Sequence, residues 1–147
     1  MTTIFLSPHF DDAVYSCGGW IWDRTQAGDP VEVWTVCAGN IPPGPLSPLA
    51  EMLHERWGTG GAAISVRRAE DQRACQIVGA KHRHLDIPDV IYRRLPDGQP
   101  VAQSEEGLSG PLPLEERERA AQIAAQLKSE IPDGALLVSP IGLGHHI

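Results

Sequence analysis

Four short strand-like segments, separated by stretches of helical periodicity, constrain this chain more than any other feature. Residues 2–7, 31–38, 82–87 and 135–139 read as strands; all but the third are rich in β-branched and other apolar side chains. Between them lie helical patterns over residues 12–27, 50–57, 64–78 and 114–131. The last is the clearest. Ala120, Ile123, Ala124, Leu127 and Ile131 recur at i, i+3, i+4, i+7 and i+11. Glu115, Glu116 and Glu118 sit at its N-terminal end, where the helix dipole favours them. Strands alternating with helices imply a parallel sheet covered on both faces. The expected fold is therefore α/β, a Rossmann-like three-layer sandwich with a mostly parallel sheet, in the order 3-2-1-4. The 147 residues make one domain, with no internal repeat.

Composition narrows the function. A formal charge of −7 argues against general affinity for nucleic acid or an anionic membrane. No apolar run reaches the length of a membrane span, and residues 1–6 are too short for a signal core. The three cysteines, Cys17, Cys37 and Cys75, are widely spaced and lie in apolar stretches. They read as buried thiols, not as a disulfide framework or a thiolate metal site, and suggest a reducing, cytoplasmic setting. A homo-oligomer is compatible with the sequence, which does not specify one.

In open parallel sheets, sites form beyond the carboxyl ends of the strands, where strand order reverses. Two segments meet that condition: residues 8–12 after the first strand and residues 140–146 after the fourth. In the order 3-2-1-4 these strands are neighbours, and the two turns face each other. His9 and Asp12 offer nitrogen and oxygen donors suited to zinc, and their three-residue separation across a strand-to-helix turn lets them converge. Asp11 lies between them and points elsewhere, free to act as a base on a metal-activated water. The plainer reading is that Asp11 or Asp12 caps the helix. A histidine two residues before Asp11, and His145 and His146 after another strand, weigh against capping alone. No G-x-G-x-x-G turn follows the first strand, which argues against a nucleotide binder.

Here the sequence resembles the N-acetylglucosaminyl deacetylase family, the LmbE-like or PIG-L zinc deacetylases. The family's A-H-P-D-D-E motif stands as Pro8-His9-Phe10-Asp11-Asp12-Ala13, with Phe10 for proline and Ala13 for glutamate. Phe10 is expected to matter little. The longer string PHFDDAVYSCGG is similar to a branch reading P-H-x-D-D-A-x-x-S-C-G-G. Arg67-x-x-Glu70-x-x-x-Ala74, followed by Val78-Gly79, resembles the family's R-x-x-E helix. The closing G-x-G-x-H-x-D-H motif is matched by Gly142 to His146 only. The chain is thus expected to be the N-terminal portion of one deacetylase domain.

The resemblance implies zinc-dependent removal of an acetyl group from an N-acetylated sugar or glycoconjugate. It implies His9 and Asp12 as metal ligands and Asp11 as general base. His146 would assist the oxyanion or protonate the departing amine. The third ligand is expected past Ile147, or failing that from His145 or His146. Arg67 has two readings that spacing does not separate: a substrate contact, or a surface pair with Glu70, as Arg68 would pair with Asp71. His54, His82 and His84 read as surface or packing residues, and most of Trp20, Trp22, Trp34 and Trp57 as core or interface. The competing class is a truncated, non-catalytic relative that keeps the fold and only binds.

Overall fold

The structure, a computed structural model, describes residues 1–142. Four strands and four α-helices alternate: β1 (Thr3–Ser7), α1 (Asp12–Gln26), β2 (Val31–Thr35), α2 (Pro48–Trp57), α3 (Ala63–Ile77), β3 (Lys81–His84), α4 (Leu114–Glu130) and β4 (Leu136–Val138). The sheet order is β3-β2-β1-β4 and every pairing is parallel, as the alternation predicts. The register sets Thr3 against Val31 on one side of β1 and against Leu136 on the other. All the loops that follow the strands therefore leave from one end of the sheet.

Side-chain alternation along β1 sorts the core into layers. Phe5 joins Ile21, Val31, Val33 and Cys75 beneath α1 and α3. Ile4 and Leu6 point the other way, to Trp34 and Leu85 and to Leu127 and Ile131 from the α4 side. Ile4, Phe5, Ile21 and Val33 are at most 1% exposed, and each contributes about 1.5–3 kcal/mol of transfer free energy. A third cluster lies beyond the strand ends. Phe10, Ala38, Leu49, Leu53, Ile64 and Val90 are among the residues that pack it. This cluster anchors the loops around the first turn.

Local signals place the helix ends. Gly28, at φ 82°, follows the end of α1, where a left-handed residue is needed. Ser47 caps α2 by accepting the Ala50 N–H at 3.1 Å, so this helix begins at Pro48 rather than at residue 50. β3 ends at His84, short of the strand expected over residues 82–87. Past His84 the chain still pairs, through Leu85 N–H to Thr35 O (2.9 Å) and an antiparallel bridge between Cys37 and Asp86. Residues 88–113 hold two 3-10 turns, Val90–Tyr92 and Glu106–Ser109. Glu116 does more than face the dipole: it is 4% exposed and pairs with Arg93 and Arg119. Among the described residues, no helix is long and apolar enough to cross a membrane.

Gly39 joins the loop after β2 to the one after β3. Its N–H donates to Ile87 O at 2.9 Å, and a Cβ built there would sit 2.6–2.8 Å from the backbone of Ile87 and Pro88. Backbone cannot give way as a side-chain tip can. Gly39→Ala is expected to cost about 1–3 kcal/mol, read as a lower denaturation midpoint at unchanged m-value. An unaltered midpoint would mean the two loops are not held this closely.

Candidate active site

β1 ends at Ser7, whose buried hydroxyl organises the turn that follows. It donates to His9 O at 2.7 Å and accepts the Ala13 N–H at 3.0 Å. Ser7 thus satisfies a free N–H of the first turn of α1. Asp11 occupies the N-cap position without a capping bond from its side chain. The capping-only reading therefore fails for Asp11. Its backbone is left-handed, at φ 72° and ψ −16°, the one non-glycine residue with positive φ among those described. That conformation costs an L-residue about 1–2 kcal/mol, and aspartate is one of the few types that visits it.

The reversal brings residues 9 and 12 together. Asp12 Oδ2 accepts the His9 N–H at 3.0 Å and lies 3.2 Å from His9 Nδ1. This contact, led by its hydrogen bond, holds the His9 imidazole above its ordinary pKa, against the effect of burial. Burial pushes the Asp12 carboxyl up, but the bonds from His9 outweigh it and the net shift is downward. Asp11 moves upward, first by desolvation and then by the charge of Asp71.

The pair also fits zinc. Metal–donor distances of about 2.0–2.2 Å at a tetrahedral angle put two ligands about 3.3 Å apart, close to the 3.2 Å between Nδ1 and Oδ2. Two ligands do not complete a site, and among the described residues no group of three metal-binding side chains occurs. His145 and His146 lie outside the described residues. The chain leaving β4 starts beside the turn that carries His9, because β1 and β4 are parallel neighbours.

Asp89 faces the site from the segment after β3. Its Oδ2 is 3.8 Å from His9 Nε2, and its Oδ1 caps the 3-10 turn by accepting the Ile91 N–H. Sequence reasoning missed it. The available signal was an aspartate directly after Ile87-Pro88, at the carboxyl end of a parallel strand.

Asp71 was missed for another reason. Helical spacing predicts a surface pair with Arg68, yet Asp71 is 0% exposed, and Arg68 instead donates to Ala38 O and Asn40 Oδ1. Asp71 Oδ1 accepts the Asp11 N–H at 2.8 Å, while Oδ2 meets Thr35 Oγ1 at 3.0 Å and His84 Nε2 at 2.7 Å. His84 is consequently a packing residue of the site, its ring edge-on to Phe10. Phe10 matters more than its motif position implies: it is 3% exposed and sits in the loop cluster.

Arg67 does not pair with Glu70 among the described ion pairs. Its guanidinium lies 5.5 Å from the Phe10 ring centroid and 5.0 Å from that of Trp57. Its charge lowers the proton affinity of His9, Asp11 and Asp12. His54 is buried against Tyr92, Nε2 to Oη 2.7 Å. Of the four tryptophans, Trp34 is core, while Trp20, Trp22 and Trp57 are 36–46% exposed.

The family model for PIG-L, GlcNAc-PI de-N-acetylase, matches residues 4–147. The chain belongs to this family. It is 32% identical to 2'-N-acetylparomamine deacetylase of Niallia circulans over 119 residues, 73% of this chain and 43% of that protein. A deacetylase of the teicoplanin biosynthesis pathway, solved as its bog complex, superposes with a TM-score of 0.88 at 34% identity, over 99% of this chain and 57% of that one. A deacetylase–teicoplanin complex gives 0.87 at 34% identity, over 99% and 60%. Teicoplanin deacetylase solved in a zinc-inhibited form gives 0.77 at 33%, over 95% and 55%. The chain therefore spans between two fifths and three fifths of the length of these relatives.

The coupling of His9 to Asp12 has a direct readout. In metal-free protein, an NMR titration of His9 is expected to give a pKa above 6.5, and Asp12→Asn should bring it down. The linked stability has a matching sign. The raised histidine contributes fully below its unfolded pKa and loses that contribution as pH rises through the folded value; the lowered Asp12 loses its contribution as pH falls through its own. A His9 value that ignores the Asp12 substitution would break the coupling.

Proposed function

We propose that this chain carries a zinc-dependent deacetylase site acting on the N-acetyl group of a sugar or glycoconjugate. One observation supports this above the rest. His9 and Asp12 converge on one side of a strained turn, Asp11 is committed to no cap, and the turn lies at the carboxyl end of a parallel sheet. A module that only binds has no need of a left-handed aspartate between two candidate ligands.

In this reading His9 Nδ1 and an Asp12 oxygen hold the metal, with the remaining protein ligand from the segment after β4. When bound, zinc supplies a Lewis acid that acidifies water and polarises an acetyl carbonyl. The Asp11 carboxylate takes the proton of the attacking water, a task suited by its raised proton affinity. The water oxygen bonds to the acetyl carbon, the C–N bond breaks, and acetate leaves. The amine takes up a proton, for which His146 is the proposed donor. Arg67, braced against Phe10 and Trp57, presents N–H groups toward sugar hydroxyls. Trp57, 36% exposed, offers an aromatic face beside it.

The test is zinc content measured together with acetate release from an N-acetylglucosamine glycoconjugate. Asp11→Asn should keep its zinc and lose about 10²–10⁴-fold in turnover. His9→Ala and Asp12→Ala should lose the metal itself. Stoichiometric zinc in either ligand variant, or a metal-free Asp11→Asn, would overturn these roles. A folded wild-type chain that takes up no zinc and releases no acetate would favour a binding module.

A further inference from the structure

We propose that Asp71, backed by His84, is a positioning residue for the Asp11 carboxylate. The inference rests on the deacetylase reading for its catalytic consequence, but the contact itself stands apart from it.

Asp71 lies 60 residues beyond Asp11 in the chain, on α3, and is wholly buried. A buried carboxylate is costly unless its oxygens are met by donors. Here they meet groups from three places: the turn after β1, β2 through Thr35, and β3 through His84. The sheet and α3 thus hold Asp71, and Asp71 holds the turn. Its bond goes to the N–H of the one non-glycine residue described in the left-handed region. Without it that N–H has lost its acceptor, and Asp11 is free to relax to an ordinary conformation. Such a rotation changes the direction in which the Asp11 carboxylate leaves the turn.

His84 adds a second hold. Its Nε2 bonds Asp71 Oδ2, and its ring stands edge-on to Phe10 at 5.5 Å and 88°. Consecutive residues of the turn are therefore fixed by one pair, Phe10 by packing against His84 and Asp11 by a hydrogen bond to the buried Asp71. Ser7 secures a different N–H, that of Ala13, so the start of α1 does not depend on Asp71. Holding the helix and aiming the base are separate functions here, carried by separate residues.

Amide hydrogen exchange in the metal-free full chain tests the contact. Asp71→Leu should speed exchange at the Asp11 amide at least tenfold and leave the Ala13 amide unchanged. Equal protection of Asp11 in both proteins overturns the proposal. Kinetics test the consequence. Asp71→Leu should retain zinc, hold KM within about twofold, and lower kcat about 10²-fold, the scale of a misplaced reacting group. Asp71→Asn, which keeps an acceptor for the Asp11 N–H, should restore most of kcat. In an Asp11→Asn background, Asp71→Leu should cost nothing further, because it acts through Asp11. Additive losses, or a wild-type kcat in Asp71→Leu, overturn the proposal. Should Asp71→Leu fail to fold, His84→Ala takes its place: a kcat loss that vanishes in the Asp11→Asn background supports the proposal, and one that persists overturns it. If wild-type protein releases no acetate, the deacetylase reading falls, and the exchange arm still decides whether Asp71 fixes Asp11.

Discussion

β1 is paired on both sides, with β2 along its whole length and with β4 over three residues, always in parallel. Parallel pairing requires each connection to cross back over the sheet, so every outgoing turn emerges at one end. The turns after β1, β2 and β3 meet there, and so does the start of the chain leaving β4. His9, Asp11 and Asp12 come from the first of these, Gly39 from the second and Asp89 from the third. Distant residues share a site because backbone hydrogen bonds inside the sheet allow no other arrangement of its ends.

That convergence concentrates acid. Asp11, Asp12, Asp71 and Asp89 gather in one region, interleaved with His9, His84 and Arg67. Each carboxylate answers its surroundings differently. Asp71 is met by groups from three elements, Asp12 is engaged by His9, and Asp11 is partly desolvated beside the charge of Asp71. Two neighbours in sequence are therefore pushed in opposite directions. A division of labour between a ligand and a base is built on such a difference in environment.

The elements, the strand order and the meeting of His9 with Asp12 were legible in the sequence, because they follow from local rules. Apolar alternation marks strands, helical periodicity marks α4, and a three-residue step across a turn brings its ends together. Asp71, His84 and Asp89 were not legible. Asp71 stands on a helix with Arg68 one turn away, and nothing in that spacing tells that the carboxylate turns inward to Asp11. Only the packing of α3 against the strand ends decides it. Arg67 was half legible: its spacing allows a partner in Glu70, whereas its observed partners, Phe10 and Trp57, lie on separate parts of the chain.

Phe10 shows why a short motif need not behave as a cassette. Its ring fills part of the loop cluster, meets His84 at its edge and supports Arg67. The proline found there in the A-H-P-D-D-E form of the motif is smaller and has no aromatic face. Transplanting that proline into this scaffold would leave space in the loop cluster, and the arginine would keep only Trp57 as an aromatic support. In this branch, then, one bulky side chain inside the signature ties the chemistry to its own surroundings.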